Sequence, residues 1–173
     1  MCAHVALIGR SVESLEPLRS ALDALTPGAD STTARERVDL YAGFVQSFSL
    51  DTPPRYRLNT RGEELLVCGA RPPMETLFEG KGDCDSLSML LATLIAGLAE
   101  VDWVLLTGVV AQENHLLVGA SVAPAEGDLT IDHEGQTYVL YELTTRGPST
   151  RPSAQTKAHL VGRQFDIHGP PPR

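Results

Sequence analysis

A cysteine lies directly before the strongest helical pattern in the chain. Cys84 sits in residues 79–86, Glu-Gly-Lys-Gly-Asp-Cys-Asp-Ser, and Asp83 has the residue type of a helix N-cap. Behind it, apolar residues recur at helical spacing and predict one buried helix: Leu87, Leu90, Leu91, Leu94, Ile95 and Leu98. The chain must therefore fold around a helix that carries a thiol at its N-terminus. Because backbone N–H groups and the helix dipole favour a negative charge there, we expect a nucleophilic thiolate.

The residues before this helix predict a mixture of short elements. Thr33 and Glu36 form a capping-box pattern that opens a helix. Residues 5–8 are typical of a strand, and Ser11 or Ser14 would cap a helix that runs to about residue 25 and ends at residues 26–28. Residues 52–62 are expected to form a loop, residues 63–68 a strand, and residues 74–79 a short helix that ends at Gly80.

After the Cys84 helix the apolar period changes from helical to alternating. Residues 103–110, 115–122, 129–132 and 137–143 predict strands, and Glu134-Gly135 predicts a turn between the last two. Helices followed by antiparallel strands indicate an α+β fold with the Cys84 helix packed on the sheet. We expect one domain over residues 1–173, with a core at about 33–148 closed by Gly147-Pro148, an N-terminal strand-helix extension and a flexible C-terminal tail ending in residues 168–173.

Two residues in the strand-like runs could complete a thiol site. His115 could deprotonate Cys84 and later protonate a leaving amine. Glu142, in an otherwise apolar run, could fix the tautomer of that imidazole. The alternatives are a strand-end His that faces solvent or caps a carbonyl, and a Glu on a solvated strand face. Asp132 is a competing candidate for the acid.

Composition excludes several classes of function. Fourteen basic against 22 acidic residues give a net charge of −8, which argues against binding the phosphate backbone of a nucleic acid. The three cysteines are widely spaced, so we expect neither a disulfide framework nor a zinc site, and we expect no metal and no cofactor. The apolar runs are too short for a signal peptide or a membrane span. We therefore expect a soluble, cytoplasmic protein with no membrane partner.

Four motifs in this order resemble the bacterial and archaeal transglutaminase-like cysteine peptidase family, whose pattern is approximately E-T-L, G-D-C-E-D, H-x-x-x-G and Y-x-x-x-E-T-T. The matching segments are residues 74–77, 80–85, 114–119 and 138–145, and Phe-Val-Gln-Ser at 44–47 is similar to a stretch that precedes them. The resemblance covers roughly residues 38–148. Ser86 stands where the family often has Asp.

This resemblance implies a papain-like fold and a triad with Cys84 as the nucleophile, His115 as the base and Glu142 as the orienting acid. It also implies that the side-chain amide of Gln46 completes the oxyanion hole. The expected activity is hydrolysis of a peptide or carboxamide bond through a thioester, with a peptide or protein as substrate. The alternatives are a protein-glutamine transglutaminase or deamidase, and a catalytically inactive interaction module.

Overall fold

The computed structural model describes residues 3–25, 32–54, 56–66, 70–110, 113–145, 150, 154–161 and 165–170. Its α-helices are α1 (Ala3–Ser11), α2 (Glu16–Asp23), α3 (Ala34–Gln46), α4 (Pro73–Glu79), α5 (Cys84–Ala96) and α6 (Ala154–Val161). Its strands are β1 (Ser49–Leu50), β2 (Tyr56–Leu58), β3 (Glu64–Leu66), β4 (Lys81–Gly82), β5 (Trp103–Val110), β6 (Glu113–Ala120), β7 (Thr130–His133), β8 (Gln136–Tyr141) and β9 (Phe165–His168). The predicted α+β class is confirmed.

The five longer strands form one antiparallel sheet in the order β7-β8-β6-β5-β9. Strands β5 and β6 pair along their whole length, from Trp103 with Ala120 to Val110 with Glu113. Strand β8 pairs with β6 only between Val118 and Ala120. The end of β6 that carries His115 therefore extends past β8, and one of its edges stays open to other groups.

Helix α5 forms the centre of the core. Its residues from Ser86 to Ile95 are all buried, so the predicted apolar stripe is enclosed on every side. One face of the sheet packs against it, through residues that include Leu105, Leu116 and Val118, and α1, α3 and α4 pack around its other sides. The opposite face of the sheet carries a second, smaller apolar cluster of Val104, Leu106, Leu117, Tyr138 and Leu140. This alternation along β5 is the two-residue period of a strand.

Local signals set the helix boundaries as predicted. Thr33 and Glu36 form a capping box in which each side chain binds the other residue's backbone N–H. Helix α4 ends at Gly80, which has a φ of 63° and so adopts the left-handed conformation that glycine accepts without strain. Asp83 caps α5, because its side chain accepts from the N–H of Ser86.

Several predictions from the sequence are wrong. Residues 5–8 lie within helix α1 rather than in a strand, and α2 begins at Glu16 without a serine cap. The predicted loop at 52–62 contains strand β2. The prediction that the flexible C-terminal tail includes His168 is wrong. This residue belongs to β9, which pairs with β5, and its ring contacts the Thr107 hydroxyl at 3.0 Å. The predicted helix end at residues 26–28 and the predicted end of the core at residues 147–148 lie outside the described residues.

Within the described ranges, no helix combines the length and the apolar character needed to cross a bilayer.

Candidate active site

Cys84 is the first residue of α5, and the elements just before it hold it in place. Strand β4 leads into Asp83, and the carbonyl and side chain of Asp83 accept from the N–H groups of Leu87 and Ser86. Gly82 packs closely against this first turn, since a Cβ there would lie 2.7 Å from the Cβ of Ser86. The backbone N–H of Cys84 belongs to the first turn, where helix geometry supplies no acceptor within the helix.

The start of α5 contacts the unpaired edge of β6. Strand β8 does not pair with Leu116, so the backbone N–H and C=O of this residue form hydrogen bonds with side chains of α5. The Leu116 carbonyl accepts from Ser88 Oγ at 3.0 Å, and its N–H donates to the Cys84 sulfur. The sulfur also lies 3.8 Å from the carbonyl oxygen of Asn114. The register of the sheet therefore places the thiol beside the residues that flank His115.

His115 and Glu142 are in direct contact. The imidazole Nε2 lies 2.9 Å from Glu142 Oε1, and Glu142 is only 4% exposed, at the end of β8. A carboxylate can only accept, so the hydrogen bond places the ring proton on Nε2 and leaves Nδ1 with a lone pair. The tautomer is the one in which the other ring nitrogen can accept a proton.

Helix α6 adds a second hydrogen bond to the same carboxylate oxygen. Thr156 is fully buried, and its hydroxyl lies 3.0 Å from Glu142 Oε1. Thr156 is not among the residues predicted for the site, because the core was expected to end at about residue 148. No local motif signals the role, since a single Thr in a short amphipathic segment is an ordinary helix residue.

A cavity of about 370 Å³ contains both Cys84 and His115 in its lining. The other lining residues come from the segment after α3, the cap of α5, the start of β6 and the segment after β8: Leu50, Asp51, Thr52, Asp83, Asn114 and Thr144. Two of the three predicted site residues therefore share one cavity, and the third holds the His115 ring from the buried side.

The ionisation state of Cys84 differs from the prediction. Burial raises the pKa of the Cys84 thiol to about 12, and the nearby carboxylates of Asp85 and Asp83 raise it as well, whereas the Leu116 N–H lowers it. Asp85 Oδ1 lies 3.6 Å from the sulfur. Removing the sulfur from water and placing it beside carboxylates both favour the neutral form of the thiol. The resting group is a thiol.

The carboxylate of Asp85 belongs to the same local cluster. Burial is the main cause that raises its pKa, the charge of Asp83 adds to it, and His4 and His115 oppose the shift. Helix α1, which carries His4, packs against α5, so the N-terminal segment contributes to the charges around the thiol.

Two further candidates from the sequence lie elsewhere. The side-chain amide nitrogen of Gln46 lies 3.3 Å from the carbonyl oxygen of Glu142 and 3.4 Å from that of Thr145, so it holds the segment that follows β8. Its participation in an oxyanion hole stays a prediction. Asp132 is exposed on β7 and accepts from the Thr137 hydroxyl at 2.6 Å. The imidazole of His115 has Glu142, not Asp132, as its partner.

The described residues contain no group of three or more His, Cys, Asp or Glu side chains that could hold a metal ion.

No protein-family model matches the chain, and no curated protein is similar to it in sequence. Some solved structures are distantly similar. LapG of Legionella pneumophila matches in an EGTA-treated form (TM-score 0.44, 13% identity, 78% of this chain and 71% of that chain) and in a calcium-bound form (TM-score 0.38, 14% identity, 88% and 99%).

A protein from Parabacteroides distasonis, described as a "putative protease", matches with a TM-score of 0.42 and 13% identity over 87% of this chain. The chain spans 31% of that protein's length. These similarities are distant, so the chemistry of the site rests on the geometry of this chain.

Proposed function

We propose that the protein is a thiol hydrolase that cleaves a peptide or carboxamide bond through a thioester on Cys84. The observation that carries the proposal is the 2.9 Å contact between His115 and Glu142 on the wall of a cavity that also contains the Cys84 thiol. An imidazole held by a buried carboxylate, and a half-buried thiol that lines the same cavity, are the groups that thiol acyl transfer requires. An inactive module would have no need to keep these groups together.

The raised pKa of the thiol defines how the first step proceeds. Because Cys84 rests as a thiol, Nδ1 of His115 accepts the proton while the sulfur attacks the substrate carbonyl. The S–C bond forms, the carbonyl becomes an oxyanion, and the Cys84 backbone N–H in the first turn of α5 donates to it. Glu142 stabilises the imidazolium that results.

The second half of the reaction returns the enzyme to its resting state. The oxyanion collapses, the C–N bond breaks, and His115 delivers its proton to the departing amine, which leaves a thioester. Water then attacks with His115 as the base, and collapse of the second oxyanion releases a carboxylate and restores the thiol. We favour water over an amine as the acceptor because water always competes for the thioester.

An acyl-transfer assay with p-nitrophenyl acetate tests this function without knowledge of the natural substrate. The expected result is a burst of p-nitrophenolate and an acetyl group located on Cys84 by mass spectrometry. The burst should be absent in Cys84→Ala and slowed strongly in His115→Ala. Acetylation that spreads over other nucleophiles, at a rate that His115→Ala leaves unchanged, would show an inactive module instead.

Added monodansylcadaverine then distinguishes the acceptors. If the thioester is hydrolysed as proposed, the fluorescent amide remains a minor product at millimolar amine. If the amide dominates, the protein is a transglutaminase.

A further inference from the structure

Strand β1 has an open edge next to the proposed nucleophile. The N–H groups of Ser49 and Asp51 donate to the carbonyls of Gly80 and Gly82, at 3.1 and 3.0 Å, so both face β4. Successive peptide groups of a strand alternate in direction, and the N–H and C=O of Leu50 therefore point away from β4. Neither group has a hydrogen-bond partner among the described residues.

Residues of this edge line the cavity of the proposed reaction. Leu50, Asp51 and Thr52 line the cavity together with Cys84. Leu50 pairs with Gly82, which lies two residues before the nucleophile, so the edge and the thiol belong to adjoining walls. The side chain of Leu50 is 61% exposed, which leaves an apolar surface at the mouth of the site.

The edge is tied to α5 by a buried arginine. Arg71 is buried, and its Nη2 lies 2.6 Å from Asp51 Oδ2 while its backbone N–H donates to Ser86 Oγ at 2.9 Å. Lys81 Nζ lies 3.2 Å from the same Asp51 oxygen. Two cations thus compensate the carboxylate, so this wall has little need of a positive charge from a substrate. What it offers is backbone hydrogen bonding and an apolar side chain.

We propose that the substrate is an extended peptide segment that adds to the outer edge of β1, hydrogen-bonds to the N–H and C=O of Leu50, and rests an apolar side chain on Leu50. This inference depends on the proposed function, because the paired segment delivers its next carbonyl to Cys84. Strand addition obtains affinity from the main chain and selectivity from alternate side chains. It admits unfolded or extended segments and excludes carbonyls inside folded helices.

A peptidyl alkylating agent tests the edge separately from the thiol. The probe is benzyloxycarbonyl-Phe-Ala diazomethyl ketone, compared with two analogues that carry an N-methyl group on the Phe or the Ala nitrogen, and with iodoacetamide. Since one backbone hydrogen bond contributes about 1 kcal/mol, N-methylation at the residue that pairs with Leu50 should slow labelling of Cys84 about five- to tenfold. N-methylation at the other residue should matter less.

Substitutions of two exposed leucines provide the matched comparison. Leu50→Ala should slow labelling by the peptidyl probe several-fold relative to labelling by iodoacetamide, so that the ratio of the two rates falls. Leu58→Ala, which changes a leucine that is 70% exposed on β2 and outside the cavity lining, should affect neither reagent.

The outcomes separate the two proposals. If neither N-methyl group nor Leu50→Ala slows the probe, while His115→Ala still slows iodoacetamide, the substrate inference is wrong and the thiol enzyme stands. If His115→Ala changes no rate with any reagent, the proposed function itself fails.

Discussion

The hydroxyl of Thr156 and the Nε2 of His115 both lie within hydrogen-bond distance of one oxygen of Glu142, at 3.0 and 2.9 Å. The carboxylate is thereby held from the helix side by α6 and from the sheet side by β6. The position of the imidazole consequently depends on α6, which follows β8 in the chain.

Replacing Thr156 with Val should weaken catalysis. The change keeps the shape of the side chain and removes the hydrogen bond to a charged acceptor, which typically contributes about 1.5–3 kcal/mol. We expect kcat/KM for p-nitrophenyl acetate to fall about tenfold or more. Thr156→Ser, which keeps the hydroxyl, should retain most of the activity. A Val variant with wild-type kcat/KM and an unchanged Tm would show that this hydrogen bond does not position Glu142.

Two acid substitutions distinguish the candidates for the orienting carboxylate. Glu142→Gln should lower kcat on the order of 10³-fold, because an amide can stabilise the wrong tautomer of His115 and supplies no charge for the imidazolium. Asp132→Asn should be neutral, since Asp132 is exposed and bonded to Thr137. Burst kinetics on both variants measure the difference, and a reversed order of the two effects would assign the role to Asp132.

Removing the carboxylate beside the sulfur should make the thiol more acidic. Asp85 lies 3.6 Å from Cys84 Sγ and its charge raises the pKa of the thiol. A carboxylate stabilises the protonated form, so Asp85→Asn should lower the pKa from about 12, by about one unit. At a pH well below the pKa, the thiolate fraction rises tenfold for each unit by which the pKa decreases.

Iodoacetamide labelling of Asp85→Asn at pH 8 should therefore be about threefold faster than in the wild type, because the larger thiolate fraction is partly offset by the lower nucleophilicity of a more acidic thiol. Ultraviolet absorbance of the thiolate against pH gives the pKa directly. Asp132→Asn, which removes a distant carboxylate, serves as the control. Equal labelling rates for Asp85→Asn and the wild type would show that Asp85 does not act on the sulfur.

Two glycine substitutions should change stability in opposite directions. A Cβ at Gly82 would lie 2.7 Å from Ser86 Cβ, whereas a Cβ at Gly43 in α3 would meet no atom within 4 Å. Gly82→Ala should lower the free energy of unfolding by about 1–3 kcal/mol through overpacking. Gly43→Ala should raise it by about 0.5–1 kcal/mol, because glycine is a poor residue in a helix interior. Urea denaturation measures both, and an equal effect from the two changes would contradict the close contact at Gly82.

Signals that act over a few residues were readable from the sequence. The capping box at Thr33 and Glu36, the Asp83 cap, the helix end at Gly80 and the turn at Glu134-Gly135 all depend on neighbouring residues, and all are confirmed. The strands β5 to β8 were predicted because two-residue alternation is a local property as well. For the same reason the α+β class followed from the order of the elements.

Tertiary packing decided the rest. Residues 5–8 form part of a helix because α1 packs on α5, and a run of four apolar residues fits a helix or a strand equally well. Strand β9 exists because Phe165–His168 finds a partner in β5, more than fifty residues earlier in the chain.

The sequence by itself determined which residues could carry thiol chemistry and in which elements they lie. Only the tertiary structure decided that Thr156 holds Glu142, and that burial and Asp85 keep the Cys84 sulfur protonated at rest. Both depend on which groups surround a side chain and how much water reaches it. Those surroundings are assembled from distant segments, so no window of neighbouring residues contains them.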